Sequence, residues 1–186
     1  ISGLELPQPL TIFFKLSDES FYSHEEPGTI EWSYLSANTW KPFRNDRVLC
    51  DGTNKFVQPG IIELDLPGEM TNDNTIMPSG LYWICVSVKE KTHCISYAKT
   101  LDTQAVTVTW KHAGNSFTHL DSPLPPGSIT KTKQKIQQIK EVVQPLASTD
   151  GRKPEEKNEA YTRLSERLGH RNRALLPADY ERLVLQ

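Results

Sequence analysis

Through the first two-thirds of the chain, apolar and polar positions alternate in short runs. Residues 29–35 show it cleanly: Ile30, Trp32 and Tyr34 fall on one face, Glu31 and Ser33 on the other. A period of two marks a half-buried strand. Ile62, Leu64 and Leu66 alternate with Glu63 and Asp65 in the same way, and Val106, Val108 and Trp110 with Thr107 and Thr109. Residues 10–16 are rich in strand-forming types. Residues 81–88 are apolar almost throughout, which predicts a central strand buried on both faces, with Cys85 a buried thiol.

Turn residues punctuate these runs. Ser36-Ala37-Asn38 leads into Thr39-Trp40-Lys41, a hairpin whose return strand Pro42 confines to an edge or a bulge. Asp51-Gly52 and Pro67-Gly68 are further turn signals, and residues 70–80 form a polar loop. Six or seven short strands between residues 8 and 111 give the layout of an antiparallel β-sandwich, jelly-roll or immunoglobulin-like. This block, residues 1–120, is expected to be one domain. Residues 121–128, with Pro123, Pro125 and Pro126, read as a stiff linker.

The period changes after residue 128, in a small α+β segment, 129–186. Residues 129–143 suit helix or strand; their β-branched side chains favour an extended stretch near 139–143. A helix is predicted near 155–168, from Pro154 and the acidic Glu155 and Glu156 at its start. Ala160, Tyr161, Leu164 and Leu168 form its apolar stripe, and Gly169 offers a stop. A second helix is expected from Pro177 to the last residue, 186. A chain that halts inside an apolar helical run reads as part of something longer.

Composition changes the picture little. Apolar content is 37% and mean hydropathy −0.52. The net charge of −2 conceals an asymmetry: residues 1–120 hold 9 basic and 14 acidic side chains (−5), and residues 121–186 hold 12 and 9 (+3). Neither half has the basic excess of a phosphate-backbone binder, so nucleic acid is not an expected partner. Three cysteines without paired spacing argue against a disulfide framework, although Cys85 and Cys94 could bridge a hairpin. No signal peptide or bilayer-spanning run is evident, so no membrane insertion is expected.

Candidate chemistry is sparse. Of the five histidines, only His93 adjoins a cysteine, Cys94, and on a strand the two would point to opposite sides, so no metal site is expected. Asp51 with Glu63 or Asp65 could make a glycosidase dyad, but acids alternating on a strand are normally its wet face. No cofactor motif and no catalytic residue is defensible, and a small-molecule ligand is not expected. Trp32, Tyr34, Trp40, Tyr82, Trp83 and Trp110 are more simply core than a sugar platform.

The C-terminal run carries a resemblance: Gly151-Arg152, Tyr161-Thr-Arg-Leu-Ser-Glu-Arg-Leu168, His170-Arg-Asn-Arg-Ala174, Asp179-Tyr180-Glu181 and Leu183-Val-Leu185. Upstream, Trp32-Ser-Tyr34, Trp40-Lys-Pro42, Asp51-Gly-Thr53, Ser79-Gly-Leu-Tyr-Trp83 and Pro123-Leu-Pro-Pro-Gly-Ser128 extend it over most of the chain. The pattern resembles the baseplate J-like wedge proteins of contractile phage tails and related injection systems. One departure is Leu176, where such proteins often place a Thr helix cap before the proline.

The resemblance implies a structural, non-enzymatic subunit. It would be made in the bacterial cytoplasm and assembled into a phage-like particle. Its partners would be other baseplate or tail subunits, or other domains of the parent chain. The interface residues expected are Tyr161, Arg163, Arg167, His170, Arg171, Arg173, Asp179 and Tyr180, since arginine forks suit carboxylates at protein interfaces. The competing reading is a carbohydrate-binding sandwich at a cell surface.

Overall fold

A computed structural model describes residues 1, 3–17, 25–170, 177 and 180. The chain divides into two compact units, Ile1–Thr109 and Trp110–Gln186. The Pro-rich stretch 121–128 belongs to the second.

The first unit is two antiparallel sheets. Its strands are β1 (Gln8–Leu16), β2 (Ile30–Ser36), β3 (Thr39–Pro42), β4 (Val48–Asp51), β5 (Gly60–Leu66), β6 (Ile84–Val88) and β7 (Ala98–Thr103). One sheet has the order β4-β5-β1-β7, the other β3-β2-β6. The fold is thus mainly β, as expected.

Alternation sets which faces meet. Leu10 lies opposite Leu64 and Ile12 opposite Ile62, so the middle of one face of the β1–β5 pair is aliphatic. Leu10, Ile12, Phe14, Leu16, Ile62, Leu64 and Leu66 are all buried there. Tyr34 joins them from β2, with Ile30, Trp32 and Ile84 half-buried against the cluster. Phe14 meets Trp32 edge-on across the two sheets, centroids 6.3 Å apart.

Two turns are built from left-handed residues. Ala37 and Asn38, both with positive φ, join β2 to β3 between the paired Ser36 and Thr39. That is the backbone of a type I′ hairpin, whose twist matches its strands. Between β4 and β5, the Asp51 carboxylate accepts from the Thr53 N–H (2.8 Å), the Thr53 hydroxyl (2.5 Å) and the Lys55 N–H (3.0 Å). These bonds hold Asn54, Lys55 and Phe56 at positive φ. Phe56 is thereby turned into the core, against Phe14 and Trp32.

Three strand expectations are corrected. Residues 104–110 form no strand, and Val106 and Val108 are 76% and 71% exposed. The neighbouring β7 takes the sheet edge beside β1 instead, and Gln104, at φ 61°, turns the chain away after Thr103. Residues 81–88 do not make a doubly buried strand. Only Ile84–Val88 pairs, at the edge of the three-stranded sheet, leaving Val86 39% exposed and Cys85 half-buried. Cys94, not Cys85, is the fully buried cysteine, and the two form no disulfide. The stretch near 139–143 makes no strand either: Ile139 N–H donates to the Ile136 carbonyl in a turn, and Val143 is exposed.

In the second unit, the Pro-rich stretch is tied to residues 144–148. The Gly127 N–H donates to the Gln144 carbonyl (2.9 Å), the Ser148 N–H to the Leu124 carbonyl (3.0 Å), and the Leu124 N–H to Ser148 Oγ (2.8 Å). Trp110, His112, Phe117 and His119 cluster through their rings. An α-helix, α1, spans Lys157–His170.

Candidate functional site

Helix α1 begins later than Pro154 would place it, and the reason is local. The Glu156 carbonyl accepts the first helical bond from the Ala160 N–H (2.9 Å), while the Glu156 N–H donates to the Glu159 carboxylate (3.1 Å). This is half of a capping box, with a glutamate reaching back to an otherwise unsatisfied donor. The helix continues through Gly169 to His170.

The helix is amphipathic, and its apolar stripe is exposed. Tyr161, Leu164 and Leu168 recur at i, i+3 and i+7, hence on one face, and are 70%, 47% and 74% exposed. A stripe of this kind ordinarily faces a core. Sequence reasoning used Leu164 and Leu168 only to define the helix. Their openness is a tertiary fact that periodicity does not signal.

The expected interface residues fare differently. Arg163 is engaged within its own segment: Nε meets Glu155 Oε1 at 2.6 Å and Nη2 meets Oε2 at 2.9 Å. The fork holds the Glu155 carboxyl below the usual range and raises the Arg163 guanidinium, through the hydrogen bonds first and charge second. Arg167, one turn on, is exposed. His170 closes the helix. Pro177 and Tyr180 have helical backbone, and Tyr180 is 62% exposed. Arg171, Arg173 and Asp179, and most of the second expected helix, lie outside the described residues.

Two of the acids weighed and set aside as a dyad serve structure. Asp51 braces its turn, as above, and Asp65 pairs with Arg47 at 2.8 Å. Of the aromatic set, Trp32 and Tyr34 pack in or against the core, while Trp40 and Trp110 are 38% and 42% exposed.

The pattern of the family described as baseplate protein PVC11-like matches residues 2–185. The chain belongs to that family. No curated protein matches it. A PVC11-like chain is a baseplate protein of a contractile injection system, a structural component whose neighbours are other baseplate or tail parts. The coarser part of the resemblance therefore holds. Among the described residues, no helix is long and apolar enough to cross a membrane.

Proposed function

We propose that this chain serves as a wedge component of the baseplate. It docks through one face of α1 onto another subunit or onto another domain of its parent chain. The exposed stripe of Tyr161, Leu164 and Leu168 carries the reading. Full burial of a leucine on a partner contributes about 1.5–3 kcal/mol, and tyrosine is enriched among residues that dominate interface energy. The rest of the sequence-defined set, Arg163, Arg167, His170, Arg171, Arg173, Asp179 and Tyr180, flanks that stripe in sequence and supplies polar contacts at its margin. The sandwich is the building block to which this coupling piece is attached. Its work is to fit and to rearrange when the sheath contracts, as a packed interface with two arrangements does.

The test replaces Tyr161, Leu164 and Leu168 together by Gln, which keeps helix propensity. Particles assembled with the variant are expected to lack it, while its circular dichroism stays that of the wild type. Normal incorporation of a folded triple variant would overturn the proposal.

A further inference from the structure

The first unit gathers three metal-binding side chains that the sequence keeps apart. A Glu25 carboxylate oxygen, a His93 ring nitrogen and the Cys94 sulfur all lie within 4.8 Å of one another. His93 and Cys94 are neighbours in the chain, and on a strand they would face opposite ways. They lie instead on a 3-10 turn, Thr92–Cys94, where successive side chains step by about 120°. A third group beside the turn can then reach both.

The turn is well anchored. Lys91 opens it at φ 52°. The Cys94 N–H donates to the Lys91 carbonyl (2.9 Å), and Ser96 ties the far side to the β4–β5 turn through the Phe56 carbonyl (2.9 Å) and the Val57 carbonyl (3.3 Å). Cys94 itself is fully buried.

A separate close approach delivers Glu25. A Cβ at Gly28 would stand 2.2 Å from the Glu90 carbonyl oxygen, so only glycine lets the segment before β2 run against the segment before the turn. The Lys91 ammonium already sits 3.6 Å from the Glu25 carboxylate, a cation drawn to the same spot.

We propose that Glu25, His93 and Cys94 form a site for a divalent transition metal, Zn2+ being the ion that their chemistry suits best. Thiolate, imidazole and carboxylate are a zinc donor set, whereas Mg2+ and Ca2+ take oxygen. Bonds of about 2.0–2.3 Å in a tetrahedron put the donor atoms roughly 3.3–3.8 Å apart. Starting from separations of at most 4.8 Å, the three reach that spacing by rotation of the exposed Glu25 and His93. Thiolate and carboxylate together balance the charge of the ion. Binding releases the Cys94 thiol proton to solvent and displaces the Lys91 ammonium from Glu25. Three protein ligands leave a fourth position for water or for a side chain of a neighbouring subunit. The site would staple the segment before β2 to the β6–β7 connection.

Co2+ is the probe, titrated under reducing conditions into the full chain carrying Cys50→Ser and Cys85→Ser, so that Cys94 is the sole thiol. One equivalent should produce thiolate-to-cobalt charge-transfer absorption with tetrahedral d–d bands, and Zn2+ should bleach both. Zn2+ should also raise the Tm. His93→Ala should weaken Zn2+ binding by more than the roughly ten- to hundredfold that loss of an outer partner costs, and Glu25→Gln should weaken it too. Cys94→Ser should abolish the charge-transfer band. His93 and Glu25 are exposed, so their variants decide the matter even if Cys94→Ser does not fold. Absence of the band, or a band and a Zn2+ affinity unchanged in both His93→Ala and Glu25→Gln, would overturn the proposal.

Discussion

Arg163 grips Glu155 with two parallel hydrogen bonds, 2.6 and 2.9 Å long, across the start of α1. An arginine expected at an interface thus already has an acidic partner in its own segment. Both groups are solvated, so the pair adds little to stability. Because the folded Glu155 pKa is depressed, its contribution is present above the unfolded glutamate value of about 4.3 and fades as pH falls through the lower folded value. Carboxyl chemical shifts should give Glu155 a midpoint below that of an ordinary glutamate. Arg163→Ala should move it back toward the ordinary glutamate range.

The same pair ranks the charges in assembly. Reversal of Arg167 should impair incorporation into particles more than Arg163→Ala, because the Arg163 fork is satisfied internally. Both should impair it less than loss of the apolar stripe. Equal incorporation of the Arg163, Arg167 double reversal and the wild type would remove the charged margin from the interface.

Tyr34 of β2 and its cross-strand partner Lys41 of β3 share the Glu69 carboxylate, which follows β5. The Tyr34 hydroxyl donates to Glu69 Oε1, and Lys41 donates to the other oxygen at 2.7 Å. Burial, then the hydrogen bond and charge of Glu69, push the Tyr34 pKa up to about 12. A raised folded pKa means stability that is intact below the unfolded value of roughly 10 and is lost as pH climbs toward the folded one. Tyr34→Phe should cost about 1 kcal/mol at pH 8 and flatten the alkaline decline seen in urea unfolding between roughly pH 10 and 12.

The β4–β5 turn should be intolerant of change. Asp51→Ala removes three hydrogen bonds from a turn that seats Phe56, and a loss of about 1–3 kcal/mol is expected. Gly60→Ala is worse, since its Cβ would stand 2.3 Å from the Gly52 carbonyl oxygen. Backbone would have to move, so thermal denaturation should show this variant largely unfolded at temperatures where Asp51→Ala is still native.

Two apolar runs of similar appearance should respond in opposite ways. Leu64 is fully buried opposite Leu10, and Leu64→Ala should cost about 2–5 kcal/mol. Val106→Thr, on an exposed segment, should stay within about 0.5 kcal/mol of wild type in denaturant unfolding.

Alternation, taken alone, determined the inward-facing positions of two strands, Ile30, Trp32 and Tyr34 in one and Ile62, Leu64 and Leu66 in the other, while strand propensity alone marked residues 10–16. Turn chemistry at Asp51-Gly52 and Asn38 was equally local, and so was the helical period of Tyr161, Leu164 and Leu168. Tertiary structure decided which candidate strands found a partner. Val106 and Val108 alternate as well as Ile62 and Leu64 do, but the place beside β1 went to β7 and residues 104–110 pair with no strand. It also decided that the stripe of α1 stays open and that Arg163 is already paired. Glu25, His93 and Cys94 converge for the same reason: distance along a chain says nothing of distance in space once sheets fold over one another.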